Sequence, residues 1–390
     1  MSTGFSDFAD AMSQAPRQVP APARRFDDVA ILGGGADARL LAALALSEGA
    51  NVRLFSAYGA ELEAMKTGIA LRGAGPVGSY QVNSDAAPSV QITAELDQAV
   101  RDAELIILTG PIHKQRTYAM VLADHLSDGQ VLALSAGRSF AALETRWLLS
   151  IGGCSADVTI VEAGPLPYWF TVSGSTLNLS NAVRTPVAAL PAANRGLLDG
   201  LTRFGAGPAA LNVMKTSFAD GSGLVEAPAL LLGGAAAPQG GPEVKLGGVP
   251  LAENDTFRNQ IGGQHMTVIG CMADERREVA RRFGVRDLPD VGGWLDIHAG
   301  ATSGDGARPV PSHAEALGIL RDAAIGSLSP LISAARLVGV ATPATDAMLA
   351  LASTVLNADL ATAGRSLPAM GVNGGDADTA RRALENAVGA

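Results

Sequence analysis

The stretch VAILGGGADARL (29–40) constrains the fold more than any other part of the chain. An apolar run suited to a buried strand meets three consecutive glycines, and a helix-forming segment follows. Gly33-Gly34-Gly35-Ala36-Asp37-Ala38 fits the pattern G-x-G-x-x-A. Each position has a mechanical reason. Gly33 permits the tight turn, Gly35 lets main-chain amides approach a diphosphate, and Ala38 lets the helix lie close to its strand. The helix N-terminus then faces negative charge. A glycine-rich turn without a ligand is the alternative. A second strand, NVRLFS (51–56), falls where a dinucleotide-binding unit requires it, which favours the ligand.

The alternation continues. ELIILT (104–109), QVLALS (130–135) and VTIVE (158–162) have apolar centres with polar residues mainly at their ends, and helical patterns such as HKQRTYAMVLADHL (113–126) separate most of the strands. Such strands imply a parallel sheet covered on both faces. After Pro191 the pattern changes: ANRGLLDGLTRF, CMADERREVARRFG, AEALGILRDAA, LSPLISAARLVG and ATDAMLALASTVL all read as helices. The expected class is α/β, with a Rossmann-type parallel-sheet domain (26–190) followed by an all-α substrate or dimerisation domain (191–390). Residues 1–25, rich in Ala, Pro, Ser and Gln, read as a disordered tail. Glycine- and proline-rich stretches at 233–263 and 300–311 read as loops long enough to be functional.

The net charge of −9 argues against nucleic acid or an anionic membrane as partner. Cys154 and Cys271 are too few for a disulfide framework and lack metal-ligand spacing with histidine, so no metal site is expected. No apolar run reaches the length of a membrane span. A small-molecule partner and a reducing cytoplasm are the expectation, and the apolar, alanine-rich terminal helices could pack a homodimer. The cofactor's 2′ end is read from the second strand. An NAD site usually ends that strand in Asp or Glu. Here it ends in Ser56, which repels no 2′-phosphate, although the nearest later cations are Lys66 and Arg72. Between NAD and NADP the balance leans to NADP.

Several stretches together resemble the octopine/nopaline (opine) dehydrogenase family. AELIILTGPIHKQ looks like that family's fourth strand with its proline turn over the nicotinamide, and VLALSAGRSFAALE is similar to its next strand and turn. VEAGPLPYW looks like E-T-x-x-L-P-Y, and LNVMKTSFADGSGLVEAPALLL matches the stretch opening the helical domain. ADERREVARRFGV and the run from Leu328 to Val372 resemble later helices. The likeness spans about residues 28 to 372. It implies joining of an α-keto acid to an amine and reduction of the imine by NADH or NADPH, with a carboxylate clamp and a proton-transfer group.

The chain departs from the family where that proton is handled. N-P-I-x-H-P usually carries the catalytic His, and here Glu226 of GLVEAP stands in its place. An Arg expected shortly after L-P-Y is also missing. A carboxylate could shuttle the proton if burial lifted its pKa toward neutrality, and the pocket would then favour a less anionic, even cationic, substrate. Alternatively Glu226 is a first-turn acid beside Pro228. Lys215 is a rival catalytic candidate, because ketopantoate reductases use a lysine early in their second domain. It would share a face with Glu226 only in an unbroken helix, and Gly221 and Gly223 oppose one.

Asp322 lies near an Asp that pairs with the family's catalytic His, and is the third catalytic candidate; beside Glu226 it would be a like charge. The likeness also places Pro111 and His113 at the cofactor, where His113 could touch nicotinamide or cap the next helix. Arg276 and Arg365 could be structural or substrate clamps. His298, without a visible partner, reads as structural. Two other functions stay open: a hydroxy-acid or keto-acid reductase that never handles an amine, and a non-catalytic nucleotide-binding protein.

Overall fold

The computed structural model describes residues 24–86, 88–233 and 255–389. The tail expected at 1–25 falls mostly outside them, as does most of the 233–263 loop. In chain order the elements of the first part are β1 (Asp28–Leu32), α1 (Ala36–Ser47), β2 (Asn51–Phe55), α2 (Gly59–Met65), β3 (Ile69–Gly73), β4 (Gly78–Val82), β5 (Ser89–Thr93), α3 (Leu96–Val100), β6 (Leu105–Leu108), α4 (Ile112–Leu122), β7 (Val131–Leu134), α5 (Ala141–Ile151), β8 (Thr159–Glu162), β9 (Tyr168–Ser173), β10 (Thr176–Asn181) and β11 (Ala188–Leu190). The strands lie in the order β11-β8-β7-β6-β1-β2-β5-β4-β3-β10-β9. From β8 to β5 every pairing is parallel.

Burial explains why these runs are strands. Val29 and Ile31 point to one face, against α1; Ala30 and Leu32 point to the other, toward α5. All four are fully buried, so an uninterrupted apolar run is required. The chain leaves β1 for β2 on one side, and β6 pairs with β1 on the other. That reversal is a topological switch point, where open α/β sheets form a crevice at the strands' carboxyl ends. The glycine loop sits there, with Gly33 N–H donating to Phe55 O at 2.8 Å and Thr109 N–H to Leu32 O at 3.0 Å.

Beyond Leu190 the named elements are helical. A 3₁₀ segment (Ala192–Phe204) packs back on the sheet through Leu198, Leu201 and Phe204. Then come α6 (Val213–Ala219), α7 (Ser222–Leu232), α8 (Gly263–Arg282), α9 (Val291–Ala299) and α10 (His313–Ala323). A π turn (Ala324–Leu328) leads into α11 (Ser329–Leu337), followed by α12 (Pro343–Leu356), α13 (Leu360–Ala363) and α14 (Ala377–Val388). Trp294, Phe257, Val225 and Leu328 anchor a separate helical core. Among the described residues no helix is long and apolar enough to cross a membrane.

Candidate functional site

The glycine loop is an anion cradle already lined with the protein's own carboxylates. Gly33 adopts φ +136°, and a Cβ there would collide with the Thr109 hydroxyl. A Cβ on Gly34 would collide with Glu61, and one on Gly35 with the Asp37 carboxylate. Gly35 is the N-cap of α1 and has no side chain to satisfy the first amides. Asp37 does so instead: the amides of Ala38 and of Asp37 itself face its carboxylate, and its Oδ2 also accepts from Gly110 N–H, in the turn after β6, at 2.6 Å. Burial raises the Asp37 pKa, against the pull of these amides and Lys114. Amides and a helix N-terminus that draw in carboxylate oxygens have the chemistry a diphosphate needs. The residues present therefore fit a dinucleotide.

Ser56 is fully buried at the end of β2, and its hydroxyl donates to Glu61 Oε2 at 2.6 Å. Pro111 is the N-cap of α4 and His113 lies exposed in that helix's first turn. His113 therefore does not act as the cap. Instead, Asp322 Oδ1 accepts from Ile112 N–H at 3.3 Å.

A buried charge cluster stands where the strand ends meet the helices. Glu226 lies inside α7 rather than in its first turn. Its Oε2 accepts from Arg138 Nη1 at 2.8 Å and its Oε1 from Arg308 Nη1 at 2.9 Å. This corrects the expectation that burial would lift Glu226 toward neutrality. Burial does push its pKa up, but Arg138 and Arg308 prevail and hold the pKa below the usual carboxylate range. Arg308 also donates to His298 O and lies over the rings of Phe257 and Trp169, at 4.3 and 4.9 Å. His298 is buried, and burial presses its pKa down to about 4. Its Nε2 accepts from Gly221 N–H at 3.2 Å, so it acts as a neutral structural acceptor.

The turn carrying Arg138 is strained. Ala136, Arg138 and Phe140 all have positive φ, at 52°, 64° and 59°. Such residues persist only where surroundings over-determine them. Here Asp220 Oδ2 accepts from Ser139 N–H and Oγ at 3.1 and 2.8 Å, and Ser217 Oγ accepts from Phe140 N–H at 2.8 Å. Arg365 donates to the carbonyls of Gly137 and Ser139 at 2.7 and 2.8 Å and to Glu144 at 2.8 Å. Gly326, in the π turn, approaches so closely that a Cβ would collide with Ile112. Asp322, just before that turn, is raised in pKa by burial, against Arg138, the Ile112 amide, His113 and Arg365. Asp322 and Glu226 thus flank Arg138, one lifted and one depressed.

The structure separates the other candidates from this cluster. Lys215 turns outward on α6 and pairs with Asp287 at 2.6 Å, and the chain breaks between α6 and α7 at Asp220-Gly221, so Lys215 and Glu226 share no helix. Arg276 is buried and donates to main-chain carbonyls of Ser217, Phe218 and Ser327, a structural clamp. Arg138, Arg308 and Glu61 were missed by sequence reasoning. Arg138 was inside the quoted AGRSF turn, a cation among small residues at a strand end. Arg308 carried no signal beyond its place in a glycine-rich loop.

Glu162 ends β8 beneath the strained turn. Its Oε1 accepts from Thr216 and Ser217 hydroxyls, both at 2.7 Å, and its Oε2 from Ala142 N–H at 3.2 Å. Burial raises its pKa from 4.5 to about 7, over the opposition of those donors. At ~1.36 kcal/mol per unit this corresponds to about 3 kcal/mol. The folded state holds the proton more tightly, so that stability is present below about pH 4.5 and is lost as pH rises to about 7. Glu162→Gln is expected to flatten the fall. Melting temperatures of both proteins from pH 4.5 to 8 check it, and equal slopes would assign the fall elsewhere.

No family model matches the chain. An opine dehydrogenase from Arthrobacter sp. (strain 1C) is 27% identical over 315 residues, covering 75% of this chain and 82% of that protein. Among solved structures, octopine dehydrogenase with NADH and pyruvate has a TM-score of 0.63 at 18% identity, covering 90% of this chain and 97% of that one. A PanE/ApbA family ketopantoate reductase from Ralstonia eutropha JMP134 has a TM-score of 0.57 at 16% identity, covering 84% and 98%. A Rossmann-type sheet followed by a helical region is the fold this chain shares with them.

Proposed function

We propose that this chain reduces the C=N bond formed between a keto acid and an amine, at the junction of the strand ends with the helices. The chain is an NAD(P)-dependent dehydrogenase. The observation that carries the finer reading is the divided pair of carboxyls around Arg138. Glu226 is held ionised by two guanidiniums. Asp322 is lifted and faces the N-terminus of α4, next to the switch point. Environments that push two acids apart in pKa divide the labour between them.

When bound, a reduced nicotinamide supplies hydride. Asp322 holds the proton that the nitrogen takes up as the C=N bond is reduced. Arg138 and Arg308, fixed by Glu226, face the carboxylate of the substrate, because a guanidinium has more donors than one carboxylate oxygen uses. They fill the place of the Arg absent after Leu166-Pro167-Tyr168. Glu226 is in this reading a positioning residue, and the pocket accepts an anionic substrate rather than the cationic one suggested by Glu226 alone.

Fluorescence titration with NADH and NADPH tests cofactor capture, and cofactor consumption with 2-keto acids, alone and with amino acids, tests the bond. Consumption is expected only when both partners are present. Equal consumption by the keto acid alone would replace this reading with a hydroxy-acid reductase of the ketopantoate reductase type. Binding without turnover across a broad panel would favour a nucleotide-binding protein.

A further inference from the structure

β2 ends in Phe55-Ser56, with no acid at the place where an NAD site usually holds one. An acid nevertheless reaches that place from α2. Glu61 Oε2 accepts from Ser56 Oγ at 2.6 Å. The Gly34 amide faces the same carboxylate, and Glu61 fills the space a Cβ on Gly34 would need. The side chain is only 24% exposed, so it is held rather than waving in solvent. Its other oxygen, Oε1, pairs with Lys114 of α4. Lys114 is itself fixed, its ammonium lying 4.4 Å over the Tyr58 ring. The carboxylate thus bridges the end of the second strand and the second glycine of the loop.

We infer that Glu61 is the ribose-reading carboxylate of this site, supplied from a helix rather than from the strand end, and that it selects NADH over NADPH. The inference rests on dinucleotide binding at the glycine loop. An ionised carboxylate accepts both hydroxyls of an adenosine ribose and repels a 2′-phosphate. Lys114 engages the far oxygen, Oε1, and leaves Oε2, the oxygen at Ser56 and Gly34, to meet the ribose hydroxyls. The lean toward NADP that Ser56 suggested is reversed by a residue five positions further on.

The test is the ratio of dissociation constants for NADH and NADPH, read by fluorescence of the bound reduced ring, in wild type, Glu61→Gln and Glu61→Gln/Lys114→Met. Wild type is expected to bind NADH about tenfold or more tighter. Glu61→Gln is expected to close that gap to roughly threefold or to reverse it, because Lys114 is freed to meet the 2′-phosphate. The double variant is expected to lose the gain for NADPH. Melting temperatures establish that each variant is folded. Tighter NADPH binding by wild type, or a ratio unmoved in Glu61→Gln, overturns the role of Glu61 while leaving the dehydrogenase reading intact. Binding of neither dinucleotide to wild type overturns both.

Discussion

Asp322→Asn is expected to lower the rate of imine reduction by roughly 10²–10⁴-fold, the usual worth of a positioned proton donor, with NADH affinity changed less than about twofold. The argument is geometric first. Asp322 sits at the amide of Ile112, beside the end of β6, where the crevice of a parallel sheet receives its ligand. Asn preserves volume and can still accept that amide hydrogen, so the local structure survives while the proton is lost. Burial raises the Asp322 pKa, so its protonated form extends above the ordinary carboxylate range. Reduction should accordingly slow as pH rises through that raised value, and Asp322→Asn should be flat over the same range. Stopped-flow decay of NADH at saturating substrate, across pH 4 to 9, reads both. A variant that keeps wild-type turnover would remove Asp322 from the chemistry.

Much of the fold was legible because the signals were local. Apolar runs at 29–33, 51–56, 104–109, 130–135 and 158–162 became β1, β2, β6, β7 and β8 within a residue or so, since strands covered on both faces need a near-continuous apolar run, with polar residues at their ends or, like Arg53, where the strand is only half-buried. The outer strands were not legible. β3, β4, β9 and β10 alternate or carry polar residues, and two of their pairings, β9 with β10 and β3 with β10, join segments whose register is set by the whole sheet. The glycine loop was visible for the same local reason: only glycine fits against Thr109 and Glu61. The charge cluster was not, because Arg138 and Glu226 are 88 residues apart and Arg308 and Glu226 are 82 apart. Sequence alone showed a lone acid where a His was expected. Its two cations come from elements that no periodicity connects, and they invert the sign of the expected pKa shift.

That inversion predicts the behaviour of Glu226→Gln. The substitution leaves Arg138 and Arg308 facing a neutral amide in surroundings where their side chains are only 13% and 9% exposed. Removing one partner from a buried ion network costs about 3–5 kcal/mol, because the remaining charges stay desolvated and unpaired. The loss should be visible as a fall in the urea midpoint without cofactor, and it should not depend on pH between 6 and 8, where Glu226 is already ionised. Replacing the whole network, Arg138→Met with Glu226→Leu and Arg308→Met, should return most of the stability, since apolar groups of similar volume need no partners. It should not return activity, because the carboxylate clamp goes with the arginines. The two readouts separate positioning from proton transfer. If Glu226 only fixes the guanidiniums, Glu226→Gln raises KM for the keto acid far more than it lowers kcat. A collapse of kcat with unchanged stability would instead make Glu226 the proton carrier, and the low pKa imposed by its two arginines would then have to be relieved by the substrate itself.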